Sequence, residues 1–364
     1  MVSISQIWDS IQSILFPSLE EELGQISPKE QQFVRVCEFC DLEHLLAPYE
    51  WSGQGRPPSS RLSIARAFIA KAVYNCTTTR VLIDQRSQSP SLRRLCGWEI
   101  RKEIPSESTF SRAFNEFASG ELPQKIHESM IELRYNPKLA GHISRDSSAI
   151  EAREKAVRKP KSKEPPVPKK RGRPKKGEKR DLKPSRRLEL QPDRSLEKNI
   201  ADLPNDCDYG SKKNSNGHKY TWKGYKLHVD VVDGDIPVSA LLTSASVHDS
   251  QVSIPLAQMS DQRITNLYDL MDAAYDASAI DSFSRQLGHV PIIDDNPRRG
   301  VKRIMNSAQT IRYRERSSVE RFFSNLENYG SKHIRVRGHA KVMAHLMFGV
   351  IVVAATQIFN LLPK

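Results

Sequence analysis

The sequence predicts an α/β protein: a mixed-sheet domain behind an all-helical N-terminal domain, with a basic insertion that lacks stable structure. Three observations predict it. Residues 1–135 carry apolar side chains at helical spacing. From residue 138 onward the patterns run strand, hairpin, helix, strand, helix, strand, helix, the order expected of a mixed sheet with packed helices. Between the first strand and the hairpin, residues 151–215 are basic and proline-rich and nearly lack aromatics, a composition that cannot bury a core. The domains are therefore drawn at 1–135 and 136–364, the second interrupted by 151–215.

In the helical part, "RLSIARAFIAKAVYN" puts Leu62, Ile64, Phe68, Ile69 and Val73 on one broad face. "PSESTFSRAFNEF" opens with Ser106 as a cap and repeats Phe110, Phe114 and Phe117 at i, i+4, i+7. Its other face carries Ser111, Arg112 and Asn115. That face suits a helix-turn-helix reader of DNA, and equally the solvated side of a plain bundle. Cys37 and Cys40 form a lone CxxC with no second pair to complete a zinc site. With Phe33 and Val36 at helical spacing, they read as buried helix thiols.

In the sheet part, "KLAGHISRDSSAI" is a strand that ends near an acid, Asp146. "HKYTWKGYKLHVDVV" and "IPVSALLTSASV" flank Asp233-Gly234-Asp235, a hairpin signal. "VHDSQVSIPLAQMS" starts a helix, with Asp249 as its cap or as a lining of a site. "ITNLYDLMDAAYD" is a strand ending in acids, Asp272 first, with Asp276 as the cap of the next helix. "GHVPIIDDN" is a short strand whose Asp294 and Asp295 lie at its end. "QTIRYRERSSVERFFSNLENYG" reads as one long amphipathic helix stopped at Gly330. The apolar stretch 342–362 is interrupted by His345, Thr356, Gln357 and Asn360. A spanning helix needs roughly 20 apolar residues with few polar breaks, so this reads as a buried C-terminal helix.

The net charge is +13 and the pI near 9.5, which points to a polyanionic partner. The charge is local: residues 151–190 hold 17 lysines and arginines against 6 acids. Within them, Lys170-Arg171-Gly172-Arg173-Pro174-Lys175 has the form of an AT-hook core. Glycine lets an extended chain sink into a narrow groove, the two arginines enter the minor groove, and the lysines meet phosphates. A flexible basic linker accounts for the same residues. Trp222 and Lys223 on the hairpin are further candidates for DNA contact. With no basic n-region and cleavage site at the N-terminus, a cytoplasmic, nucleoid-associated protein is expected.

Three carboxylates stand where this architecture can bring them together: Asp146, Asp272 and Glu320. Crowded carboxylates repel unless a divalent cation neutralises them. Mg²⁺ suits such a set, and a pair of ions about 3.5–4 Å apart suits phosphodiester chemistry. Singly, each has an ordinary reading as a cap, a strand-end residue or a solvated helix charge. Tyr313, Arg316 and Glu320 at i, i+3, i+7 share one helix face, where a ring, a guanidinium and a carboxylate suit a nucleic-acid strand.

The motifs "RDSSAIEAREK", "LMDAAYDA" and "YRERSSVERFFSNLE" resemble those of bacterial insertion-sequence transposases of the DDE type. The last is similar to the Tyr-x2-Arg-x3-Glu signature of insertion-sequence family four. That signature continues with six residues and a lysine; here the position holds Glu327, and Lys332 is the nearest unmatched lysine. The resemblance implies an RNase H-like (retroviral-integrase-like) domain in which Asp146, Asp272 and Glu320 hold Mg²⁺, with Mn²⁺ able to substitute. It implies that Tyr313 and Arg316 hold the transposon end, that water cuts the strand, and that the freed 3′-OH joins target DNA. It also implies a homodimer in a synaptic complex on double-stranded DNA. The rival readings are a DNA-binding regulator without catalysis, and a nuclease that cuts without joining.

Overall fold

The computed structural model describes residues 10–51, 53–55, 57–135, 139–157, 186–213, 217–297 and 301–361. Lys170, Arg171, Gly172, Arg173 and Lys175 lie outside the described residues.

Among the described residues, eight α-helices precede the first strand: α1 Phe16–Leu23, α2 Pro28–Phe39, α3 Leu42–Leu46, α4 Arg61–Val73, α5 Thr79–Gln88, α6 Pro90–Leu95, α7 Glu107–Ser119 and α8 Leu122–Arg134. Their starts are written in the sequence. Ser27 and Glu30 form a capping box ahead of α2, with Pro28 at the first helical position. Ser60, Thr78 and Ser89 each accept from a backbone N–H three residues on. Ser106 sits at the cap position of α7, but its hydroxyl meets Ser108 and Thr109 instead of a backbone N–H. α4 is buried almost all round, as expected of a central helix. Cys37 and Cys40 are free thiols, and burial pushes the Cys40 thiol above its usual range.

Among the described residues six strands follow: β1 Leu139–Glu151, β2 Asp208–Lys213, β3 Lys219–Val232, β4 Ile236–Ser244, β5 Thr265–Met271 and β6 Val290–Ile293. The order is β2-β3-β1-β5-β6, with β4 also on β3. β1 runs antiparallel to β3 and parallel to β5, and β6 continues the parallel part. The β3–β4 hairpin turns where expected, with positive φ at Gly234 and Asp235. The chain then adds α9 Arg187–Leu190 and α10 Leu196–Ala201, both before β2, and α11 Ser250–Asp261, α12 Ser278–Gln286, α13 Ser307–Tyr313, α14 Ser317–Leu326 and α15 His339–Asn360 after β4.

The structure departs from expectation in three places. Residues 187–213, placed in the structureless insertion, form α9, α10 and β2. Polar bonds hold them: Gln191 Nε2 donates to Gln251 O (2.7 Å) and Asn199 Nδ2 to Gln258 Oε1 (2.9 Å), both on α11. The long helix ending at Gly330 is broken. Arg314–Arg316 tighten into a 3₁₀ turn, and Ser144 Oγ of β1 donates to the Glu315 carbonyl (3.2 Å) inside it. Finally, the boundary at residue 135 is not a gap between cores. α15, apolar all round, packs on both halves. Phe348 stacks on Phe68 at 5.7 Å, while Met347, Val350 and Val353 join Val229, Val231, Val319 and Phe322. This helix is long and apolar enough to cross a membrane, yet it is mostly buried inside the protein.

Candidate active site

The site begins with a register. β1 and β5 pair in parallel up to Arg145 opposite Met271, so the next residues of the two strands, Asp146 and Asp272, emerge side by side. β5 ends there, whereas β1 runs on to Glu151 against β3. Asp146 therefore lies in the middle of its strand, not near its end as the sequence suggested. Asp272 instead follows β5 directly and caps a 3₁₀ turn, accepting from Ala274 N–H at 2.9 Å.

What fixes that register is buried beneath it. Arg145 opposes Asp230 across β1–β3. Its guanidinium grips the carboxylate through Nε and Nη2, both at 2.7 Å, and both side chains are sealed from solvent. Ser253 accepts from Arg145 Nη1 at 3.0 Å and Ser260 donates to Asp230 at 2.7 Å. A slip of one residue would send every side chain of β1 to the wrong face and strand both charges.

Asp146 accepts from the Ser147 N–H (2.7 Å) through Oδ1 and from Arg316 Nη1 (3.1 Å) through Oδ2. Burial pushes its carboxyl above the usual range, and the Asp272 charge pushes it further. Ser147, Lys212 and Arg316 oppose the shift without cancelling it. Arg316 also donates to Glu320 at 2.7 Å and lies 5.9 Å from the Tyr313 ring, so the expected helix face is assembled, with the guanidinium between two acids. Glu320 is largely exposed.

The remaining candidates divide. Trp222 is buried at 4% exposure: Gly210 faces it across β2–β3 and leaves room for its ring, and its indole donates to the Tyr225 carbonyl. The hairpin thus keeps Trp222 as core, while Lys223 is half-buried. Arg112 is exposed on α7. Asp276 does not cap α12 but accepts from Asn296 N–H, and Asp294 and Asp295 pair with Lys302 and Arg303. Glu327 pairs with Lys332 at 2.7 Å. Asp249 does not cap α11 with its side chain; it takes bonds from Ser147 and Lys226. Lys212, whose charge acts on Asp146, lies on β2, a strand too polar to be legible in the sequence.

The donor set fits a hard divalent cation. Asp146 and Asp272 offer adjacent carboxylate oxygens, and Mg²⁺ binds through one or two carboxylates while keeping waters. Among the described residues no three acids, histidines or cysteines converge as one ligand group, and Glu320 is engaged by Arg316.

A mixed sheet that sets two acids side by side next to an Arg/Glu helix face defines a candidate phosphodiester-processing enzyme. The family model described as a transposase DDE domain matches residues 150–354, more than half of the chain. The chain belongs to that family and is an insertion-sequence DDE transposase, an enzyme that cleaves and transfers DNA strands. A transposase domain (DUF772) matches residues 21–116 of the helical half. No curated protein and no solved structure gives a significant match. The DDE match spans Asp272 and Glu320 and begins four residues after Asp146.

Proposed function

We propose that the protein is a transposase of the family-four type with an RNase H-like catalytic half. It recognises the terminal inverted repeats of its element, cuts them and joins the 3′-OH ends to target DNA. The observation that carries this reading is the β1–β5 register, which sets Asp146 beside Asp272.

Asp146 and Asp272 would hold the cation, and Glu320 would complete the set once Arg316 releases it. Bound Mg²⁺, as one ion or two, or Mn²⁺ in its place, supplies Lewis acidity toward a water and a phosphate oxygen. The protein does the rest by position. Arg316 suits a phosphate oxygen through its planar fork, and Tyr313 offers a ring for a base or sugar. Glu327 stands where the family signature has lysine, and its partner Lys332 brings an ammonium group to the same place.

Around this centre, Arg112 on α7 is proposed to read the end sequence and Lys223 to meet phosphate. Arg171, Gly172 and Arg173, flanked by Lys170 and Lys175, are proposed to enter an A·T-rich minor groove. The working form is a homodimer pairing two ends, in the cytoplasm on the nucleoid. Incubating the protein with end-repeat duplexes, target plasmid and Mg²⁺ tests the reading. Joined product supports it; cutting without joining makes the protein a nuclease, and binding without cutting a regulator.

A further inference from the structure

Tyr275 closes the 3₁₀ turn that Asp272 caps, and its N–H returns to the Asp272 carbonyl at 3.0 Å. The side chain is 1% exposed and packs with Met271 and Ile280. Its hydroxyl has no hydrogen-bond partner among the described residues. An orphaned buried hydroxyl is costly and rare in native proteins, and it often marks a bound water or ion. The phenol packs against Met271, whose sulfur meets Ser253 of α11, the helix that Asp249 precedes, so the ring lies on the α11 side of the turn that Asp272 caps.

Asp249, at the start of α11, reaches the strand that carries Asp146. Its Oδ1 accepts from Ser147 Oγ at 2.9 Å and from Lys226 Nζ at 3.0 Å, tying it to the residue next to Asp146. The same oxygen lies 3.8 Å from His228 Nδ1, a second buried atom without a hydrogen-bond partner among the described residues. Two buried polar atoms without a partner among the described residues thus lie here, His228 Nδ1 beside Asp249 and the Tyr275 hydroxyl in the residue that closes the Asp272 turn.

We propose that Asp249 and Tyr275 form the inner wall of the cation site, holding the waters of the hydrated ion and not the ion itself. The phenol donates to one such water and the carboxylate accepts from it. Both are positioning residues, and the assignment rests on the reading that Asp146 and Asp272 bind the cation. Groups at that remove from a metal typically change its affinity by about 10–100-fold.

The test uses the full chain without DNA, with Mn²⁺ alone as the probe, titrated by the electron-spin signal of the free ion. Thermal denaturation of the metal-free protein is run in parallel. Tyr275→Phe is expected to weaken Mn²⁺ binding about tenfold or more while the metal-free melting temperature holds or rises. Asp249→Asn is expected to weaken binding likewise. Unchanged Mn²⁺ affinity in Tyr275→Phe, alongside a loss in Asp146→Asn, overturns the inner wall and leaves the cation reading standing. Unchanged affinity in Asp146→Asn overturns both. A lower metal-free melting temperature in Tyr275→Phe, with affinity intact, makes the hydroxyl purely structural.

Discussion

Arg316 Nη1 meets Asp146 Oδ2 at 3.1 Å across 170 residues of chain, and the same guanidinium holds Glu320 at 2.7 Å. A fixed cation thus joins the carboxylate of the central strand to that of the helix. A divalent ion and Arg316 compete for the same oxygens. Arg316→Ala should therefore tighten Mn²⁺ binding severalfold while lowering end cleavage by about 10²-fold, the scale of losing a charged contact to a reacting phosphate. Calorimetric titration and a cleavage assay read the two arms. Weaker metal binding in Arg316→Ala would show that the guanidinium supports the ion instead of opposing it.

Asp146 carries the electrostatic strain of the site. Its folded-state pKa is raised, so the native protein binds that proton more tightly than the unfolded chain. The ionised carboxylate costs stability at neutral pH, and the cost falls as pH drops through the folded pKa toward the ordinary Asp value. Asp146→Asn should raise the metal-free melting temperature at pH 7, with the gain shrinking in the carboxylate range. Melting curves at pH 7 and pH 4 check this. A gain that grows on acidification would mean the pKa is depressed.

Much of this was legible in the sequence, and the misses share a cause. Helix periodicity, the Asp233-Gly234-Asp235 turn and the acids Asp146 and Asp272 are local signals, and they placed the main elements. Asp249 fitted the pattern of a helix cap, but its side chain answers to Ser147 and Lys226, contacts created by strand register. Trp222 looked like a hairpin side chain free for DNA because its partner Gly210 lay in a stretch too polar to suggest a strand. Order in 187–213 comes from amide bonds to α11, which hydropathy does not register.

The Arg145–Asp230 pair should dominate stability under the site. Arg145→Leu leaves a sealed carboxylate without its partner, a loss of about 3–5 kcal/mol. Removing both charges, as in Arg145→Met/Asp230→Leu, should recover most of it. Urea denaturation of the three proteins measures the difference. A single variant as stable as wild type would mean the register is held by other contacts.

Histidines packed inside the protein set an acid limit; His127 and His228 are buried and His345 is half-buried. His127 and His345 are held neutral by burial, with folded pKa values of about 3, while Arg263 and Lys71 add to the respective shifts. Each bonds a backbone carbonyl through Nε2, to Pro237 and Gly330. Because these pKa values are depressed, the unfolded chain takes up protons first as pH falls below about 6.5. Stability should be full above that value and decline steadily down toward pH 3. Urea midpoints from pH 7 to 4 report it, and His345→Gln should flatten the slope. A wild-type midpoint constant over that range would contradict the assignment.

The central claim is that Asp146, Asp272 and Glu320 act together on DNA through a divalent cation. The most direct measurement is Mg²⁺-dependent cleavage of DNA carrying the terminal repeats by wild type, Asp146→Asn, Asp272→Asn and Glu320→Gln, each shown by melting to be folded. The account predicts cutting by wild type only, abolished by chelation and restored by Mg²⁺ or Mn²⁺. Equal cutting by all four proteins would contradict it.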